Sequence, residues 1–499
     1  MIQQGLRAGT FLAALVALAL LFDVAAARAE PARAPDMTLT GVLTRAAHET
    51  YTEVPFKVPA GVERIRVEFD YTGREQRSVI DLGLRDPQRF RGWSGGNKSR
   101  FTVAESDATP SYVSGPLPAG TWRLVLGAPN IRKDAEAAYT ARIWLDRKGA
   151  PFAGFNDGPL ATGERWWRGD LHMHTANSDG SCLSRKGVNV PCPTYKTVEA
   201  AAARGLDFIA ITDHNTTAHY AAMRELAPYF DDLLMIPGRE ITTFHGHANA
   251  FGPTDYLDFQ LGGPRAQSLA AIQSEIEAAH GILSINHPGL PTGEACMGCG
   301  WNPPNTDYSR VQAVEAVNGA LTGGPLSGIP FWEMRLNEGH RMTAIGGSDN
   351  HDATMDPKVP KAIGVPTTVV RASELSQAAI LDAIGKGHVF IDTAGTRDRI
   401  LEVKASLNGA TAQMGDALAA PAGSRVNIAV HVVGAPGAVV SLAGDGAKLV
   451  AAGDTRLTSA DQTLSFDLTS DGARRWLRID VRNPDGALLL LGNPIYLNR

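Results

Sequence analysis

The chain lacks several features that would assign it a class at once. Lysine and arginine number 47 against 52 aspartates and glutamates, which leaves a formal net charge of −5 over 499 residues. So small an imbalance gives no reason to expect nucleic acid or an anionic membrane surface as a partner. There is no glycine-rich phosphate loop, dinucleotide fingerprint, internal repeat or low-complexity tract, which removes nucleotide-dependent and repeat-architecture readings. Long apolar runs are almost absent. The one that stands out, 10–22, is ended by Asp23, short of the roughly 20 residues that a spanning helix needs. With Arg7 ahead of it and Ala27-Arg28-Ala29 behind it, this run reads as a cleavable signal peptide over 1–29, cut after Ala29. No cysteine sits at the cut, so a lipid anchor is not expected. The mature protein is expected to be periplasmic or secreted, with no membrane contact after cleavage.

Cysteine is scarce, with four in all. Cys182 and Cys192 bracket one short loop, and Cys296-Met297-Gly298-Cys299 lies in another. In an oxidising compartment two local disulfides are expected, Cys182–Cys192 and Cys296–Cys299, with cross-pairing between the loops as the next alternative. A four-thiolate zinc site fits poorly, because Cys182 and Cys192 are too far apart in sequence for a knuckle. No strand–helix context of the redox-motif kind surrounds the Cys-x-x-Cys. The two loops closely follow Asp179 and His287, so they are expected at the rim of a pocket, where reduction would change substrate affinity more than metal content.

Apolar content of 44% and charged content of 20% are those of a soluble globular protein, and the length suits two to four domains. Residues 30–146 read as an all-β unit, with strand candidates after Gly61, at 78–84 and at 121–126, and a jelly-roll-like β-sandwich is expected. Its Phe90, Trp93 and Trp122 are expected to fill the core rather than line a ligand groove. Residues 147–166 read as a linker. From 167 to 397 the pattern alternates between strands (170–174, 207–212, 233–237, 248–251, 282–286, 313–317, 342–345 and 367–370) and helices, clearest at 197–204 and 268–280. Repeated β-α-β units predict a parallel sheet closing into a distorted or incomplete barrel. Residues 398–499 return to short strands, at 426–432, 437–442 and 476–481, and predict a second small β-sandwich.

What is abundant is metal-ligating chemistry at the ends of strands. His172-Met173-His174 is followed by Asp179, and residues two apart on an extended chain point to one side. The sequence Thr212-Asp213-His214 ends the next strand, with Asp213 placed either to orient His214 or to cap a helix. Gly238-Arg239-Glu240 ends another. Glu240 can bridge two ions with its two oxygens, as a neutral imidazole cannot. His245 and His247 compete for the following position, and His247 is preferred because it directly precedes an apolar run. Asn286-His287-Pro288 and Gly346-Gly347-Ser348-Asp349-Asn350-His351 complete the set. Each cluster alone is explained as well by caps and satisfied histidines. All of them recur at the same phase, strand end into loop, which in a β/α barrel is the face where active sites form.

These motifs, taken in order over Gly169 to about Thr393, resemble the PHP (polymerase and histidinol phosphatase) superfamily of metallohydrolases, and more closely its CehA/McbA-type branch. The resemblance implies a multidomain protein with a distorted (β/α)7 barrel and two to three divalent ions. His172, His174, Glu240 and Asp349 would hold the first, Glu240, His247 and His287 the second, and Asp179, His214 and His351 the third. Arg239 departs from the pattern, in which an apolar residue is commoner, and His245 leaves the second ligand set less secure. Mixed imidazole and carboxylate donors suit zinc, manganese or iron. The expected reaction is hydrolysis by a hydroxide bridging two metals, with Asp349 accepting a proton and Arg239 and His245 as candidates for binding an anion or protonating the leaving group. A small-molecule phosphoester is the leading substrate, and a carboxyl ester or carbamate of the CehA type the alternative. An alternative of another class is a secreted binding protein with a structural metal site, its N-terminal β-domain contacting a glycan or a protein.

Overall fold

The computed structural model describes residues 33–148, 150, 154–156, 158–294, 296, 298–445 and 455–499. The expected signal segment lies outside the described residues. Strict apolar alternation in Val62–Tyr71 and Ala137–Arg147 gives each strand one dry face. They pair with each other in one of two four-stranded antiparallel sheets that pack over a shared core. The eight strands along the chain are Met37–Leu43, Tyr51–Val58, Val62–Tyr71, Val79–Arg85, Phe90–Gly95, Arg100–Ala104, Gly120–Asn130 and Ala137–Arg147, and their orders in the two sheets are 1-8-3-6 and 2-7-4-5, the order of a jelly roll. Of the three aromatic residues expected in this core, only Trp122 is fully enclosed. Trp93 lies half-buried against Tyr51, and Phe90 sits at the sheet edge, exposed.

The central unit is built on seven strands hydrogen-bonded in chain order: Thr162–Asp170, Phe208–Ile211, Leu234–Thr243, Gly246–Phe251, Ile282–Ile285, Ala313–Asn318 and Thr343–Gly347. The first three run parallel, as do the last three. The fourth strand is antiparallel to both of its neighbours, so the expected all-parallel sheet is in fact mixed. The reason is local. Residues 244 and 245 alone separate the third strand from the fourth, and a parallel connection needs a crossover of a dozen or more residues. Helices Thr194–Arg204, His219–Leu226, Leu269–Ala278 and Ile329–Asn337 fill four of the connections. The first stops at Gly205, whose left-handed backbone (φ 68°) lets it close the helix. The third starts at Ser268, whose side chain accepts from the Ala271 N–H. Beyond their last strand residues, the first and seventh strands continue side by side. The Asp349 N–H donates to the His172 carbonyl and the His174 N–H to the Asn350 carbonyl, both at 2.9 Å.

Two expected boundaries shift. The first strand begins at Thr162, inside the expected linker, because its early residues pair with Thr367–Glu374. The C-terminal sandwich is not a detached unit. Its strand Leu488–Gly492 pairs with Val389–Asp392, so one of its sheets continues the central sheet, and a separate four-stranded sheet covers the other side. The all-apolar run Leu488-Leu489-Leu490-Leu491 has no solvent-facing phase, as expected of a strand buried on both faces.

A buried ion triad ties the N-terminal sandwich to the central unit. Asp107, fully enclosed, accepts from Arg64 of its own sandwich and from Arg224 on helix His219–Leu226. Burial pushes the Asp107 carboxyl up, but the two guanidinium groups outweigh it and hold the pKa below the ordinary value. Its contribution to stability is therefore present at neutral pH and lost as pH falls through that depressed value. Replacing Asp107 with Ala takes the shared carboxylate away from buried Arg64 and part-buried Arg224 and is expected to cost about 3–5 kcal/mol, measured as a shift in urea unfolding at neutral pH. A shift no larger than that of an exposed substitution such as Asp70→Ala would show that the triad does not hold the domains together.

Candidate metal centre

Histidines and carboxylates from several strand ends of the central unit converge on one cluster. Glu240 lies at its centre, 1% exposed. Its Oε2 is 3.3 Å from His172 Nε2, 3.5 Å from His174 Nε2 and 2.9 Å from His214 Nδ1. Its Oε1 is 3.2 Å from His247 Nδ1 and 3.4 Å from His287 Nε2. The two oxygens of one carboxylate therefore face two different sets of imidazoles. Asp349 Oδ1 completes the first set, 3.3 Å from both His172 Nε2 and His174 Nε2. A third set adjoins it toward solvent. Asp179 Oδ1 is 3.3 Å from His351 Nε2, and its Oδ2 is 3.7 Å from His214 Nε2. The His174 ring lies 4.5 Å from that of His214 and 4.1 Å from that of His351, so the sets share walls.

The far nitrogens explain why these rings present free lone pairs. His172 Nδ1 lies 2.9 Å from Glu315 Oε1, His287 Nδ1 3.2 Å from the Cys299 carbonyl, and His351 Nδ1 2.9 Å from the Asp349 carbonyl. An acceptor at Nδ1 holds the proton there and turns an unprotonated Nε2 inward, the usual support of a metal-ligating histidine. His174 Nδ1 meets Ser178 Oγ, and His214 Nδ1 meets Thr242 Oγ1, in the same manner. Deep in the cavity, His172 Nε2, His174 Nε2, His247 Nε2 and Glu240 Oε2 are buried without a hydrogen-bond partner. Orphaned polar atoms are expensive in a protein interior, and those gathered around Glu240 are what bound cations would satisfy. Three groupings of donors are close enough for this: His172, His174 and Glu240; His174, Asp179, His214 and His351; and His247, His287 and Cys299.

The electrostatics match. Burial pushes Glu240 up, but the imidazoles packed around it, His172 foremost, pull it well below the ordinary carboxylate range. Asp349 is likewise held well below: burial opposes this, and the His172 charge leads the terms that outweigh it. Burial also opposes ionisation of Asp179, but its His351 partner brings it down to about 2. His174 is lowered chiefly by burial, which favours the neutral, ligating form. All three carboxylates are thus ionised and ready to take a cation.

The cavity gathers all nine candidate ligands: His172, His174, Asp179, His214, Glu240, His247, His287, Asp349 and His351. It does not gather Arg239 or bring His245 into the cluster. Strand alternation that turns Glu240 inward turns Arg239 outward, where Nη2 donates to the carbonyls of Pro253 and Asp255 beside the Tyr220 ring. His245 is exposed at the tip of the tight turn between the third and fourth strands. Its proposed anion-binding role has no contact behind it among the described residues. Asp213 neither orients His214 nor caps a helix. Its oxygens hold the Thr175 N–H, the Thr175 hydroxyl and Ser178.

Several site residues escaped the sequence reading. Glu315 is fully buried and accepts from His172, the His287 N–H and Asn318. Its signal was a carboxylate inside the apolar run Val314-Glu315-Ala316-Val317. Asn286 donates to Glu240 Oε1 at 3.0 Å, and Asn318 reaches Asp349 Oδ2 at 3.3 Å. Asp170 takes the N–H groups of His172, Ser348 and Gly364, joining the first and seventh strands. The cysteine pairs are the local ones, with Cα separations of 4.9 Å for Cys182–Cys192 and 5.6 Å for Cys296–Cys299.

No family model matches the chain, and no curated protein matches it. Several solved structures are similar, and two of them illustrate the likeness. One is a two-domain protein containing a predicted PHP-like metal-dependent phosphoesterase from Bacteroides vulgatus, 18% identical, with a TM-score of 0.38 over 70% of this chain and 99% of that one. The other is a candidate metal-dependent phosphoesterase from Bifidobacterium adolescentis, 17% identical, with a TM-score of 0.27 over 42% of this chain and 92% of that one. Likeness at this level leaves the chemistry to the residues themselves.

Glu315 anchors three groups that shape the cavity, so Glu315→Ala should weaken metal binding by about 10–100-fold while the nine candidate ligands remain. Titration with a fluorescent zinc competitor measures this, and unchanged affinity would remove Glu315 from the site. Gly347→Ala should act in the same direction, because a Cβ there would meet Glu315 Oε1 at 2.3 Å and His172 Cβ at 2.5 Å.

Proposed function

We propose that the protein is an exported metal-dependent phosphoesterase of the PHP type, its central unit a distorted (β/α)7 barrel. One observation carries this reading: the single carboxylate of Glu240 serves two imidazole sets, with a third set beside them. His172, His174, Glu240 and Asp349 would hold one ion, Glu240, His247 and His287 a second, and Asp179, His214 and His351 a third. The donor mixture suits zinc, manganese or iron. Divalent ions held there supply Lewis acidity toward a phosphoryl oxygen and make a nucleophile from water at neutral pH.

The protein's own groups do the rest. Asp349 Oδ1, at the junction of His172 and His174, accepts the proton that the attacking water gives up. The Asn318 amide holds Oδ2 so that Oδ1 stays aimed at that point. Glu240 and Glu315, both buried, keep bulk water out of the deep half of the cavity. The third set is the open half: the side chains of Asp179, His214 and His351 are 57%, 26% and 40% exposed. A substrate therefore enters on that side and places its non-bridging oxygens over His214 and His351. A phosphoester, with two or more such oxygens, uses all three sets at once, which a carbamate with one carbonyl oxygen does not.

The test is a substrate panel on protein loaded in turn with zinc, manganese and iron. Hydrolysis of p-nitrophenyl phosphate or its bis-ester is expected. Activity on an aryl carbamate alone would overturn the phosphoesterase reading. Asp349→Ala should lower turnover by about 10²–10⁴-fold. Chelation should abolish activity and added metal restore it. Acidification should act like chelation, because an imidazole must be unprotonated to bind an ion, and a rate that persists in excess chelator would sink the metal-centred reading.

A further inference from the structure

The second imidazole set contains a sulfur that the ligand assignment above does not use. We infer that Cys299 is a ligand held in reserve for the ion at His247 and His287, released when its bond to Cys296 is reduced by a dithiol. This rests on the metal-centred reading of the site.

Cys299 is 2% exposed, and one ligand atom each from His247, His287 and Cys299 lie within 4.8 Å of one another. His247 is 6% exposed, and its Nε2 is buried with no hydrogen-bond partner. The set thus contains both the sulfur and an imidazole nitrogen without a partner. The Cys299 main chain is also part of the site, since its carbonyl takes His287 Nδ1 at 3.2 Å.

The loop that carries the sulfur is pinned independently of the disulfide. Cys296 and Gly293 exchange N–H to carbonyl bonds, the Gly300 N–H donates to Thr292 Oγ1, and the Asn302 N–H donates to the His245 carbonyl. Gly298 lies so close to the Thr243 carbonyl that a Cβ there would sit 2.1 Å from it, at a backbone φ of 76° that suits glycine. Breaking the sulfur–sulfur bond therefore leaves Cys299 in place.

The two sulfurs differ in access. Cys296 is partly exposed and Cys299 is buried. An incoming thiolate attacks Cys296 Sγ, and Cys299 Sγ leaves with the bonding pair, directly beside His247 and His287. The second thiol of the dithiol then displaces Cys296, forming the cyclic disulfide of the reagent. Two electrons pass from the dithiol to the protein, and Cys296 takes up a proton. Cys299, as thiolate, would be a donor for an ion held at His247 and His287. That ion would then have four protein donors, Glu240, His247, His287 and Cys299. Four protein donors make a closed zinc site, whereas catalytic sites keep one position open. Reduction is thus inhibitory, through metal coordination. This reverses the sequence-based expectation that reduction acts mainly on substrate affinity.

Cobalt(II) substitution tests the inference without reference to turnover. Cys296→Ser leaves Cys299 as a free thiol with no reductant present. Cobalt-loaded Cys296→Ser should show a thiolate-to-cobalt charge-transfer band in the near ultraviolet that oxidised wild type and the Cys296→Ser/Cys299→Ser double variant lack. Wild type reduced with dithiothreitol, then freed of it anaerobically, should gain the same band and lose hydrolysis, which covers the case in which Cys296→Ser folds poorly. Cobalt bound in the wild-type amount with no such band in either sample would overturn the inference while leaving the metal centre intact. No cobalt bound by any form would overturn both.

Discussion

The site depends on one buried anion. Glu240 is buried with its two oxygens divided between imidazole sets, one built on His172 and His174, the other on His247 and His287. A carboxylate taken out of water is costly unless it is met by positive charge and hydrogen-bond donors. Asn286 supplies one donor, and the neutral imidazoles around it have at most one N–H each to offer. Divalent cations meet the requirement better, since they also satisfy the Nε2 atoms that have no partner. The chemistry proposed here follows from that single placement.

Holding so many ligands at one point needs backbone geometry that ordinary residues avoid. His287 (φ 29°), Asp349 (φ 51°) and Asn215, directly after His214 (φ 54°), all lie in the left-handed region. Such conformations cost on the order of 1–3 kcal/mol each and persist where their surroundings over-determine them. The over-determination is visible. The His287 N–H is held by Glu315, the Asp349 N–H by the His172 carbonyl, and the Asn215 amide bonds both the carbonyl and the N–H of Thr242. The strain sits at the three strand ends where ligands must turn from the sheet toward the cavity.

Exposure divides the cavity into two halves with different work. The Glu240 half is closed and sets charge and proton positions, and the Asp179 half is open and meets what enters. The disulfide loops lie on different sides of this division. The Cys182–Cys192 hairpin flanks His351, with the Ser181 N–H on the His351 carbonyl, whereas the Cys296–Cys299 loop reaches the buried half through His287. Similar loops in sequence thus stand in unlike relations to the chemistry.

The candidate ligand set was legible in the sequence because its signals are local. His172 and His174 share a side because extended chain repeats every two residues, and short apolar strands ending in His214, His287 and Asp349 announce their own termini. Local rules also produced the strand and helix pattern and the short cysteine pairings. What they could not supply was anything set by the distance between segments far apart in the chain. The partner of each Glu240 oxygen, the outward turn of Arg239 to Pro253 and Asp255, the service of Glu315 to both His172 and His287, and the sulfur of Cys299 beside His247 all depend on how the strands curve and stack. The fourth strand runs antiparallel because only two residues precede it, a fact written in the sequence but masked by the β-α-β pattern around it. The sequence by itself determined which donors stand at the strand ends. The tertiary structure alone decided which donors share an ion-sized space, because that requires convergence over a hundred or more residues, and no periodicity along the chain encodes it.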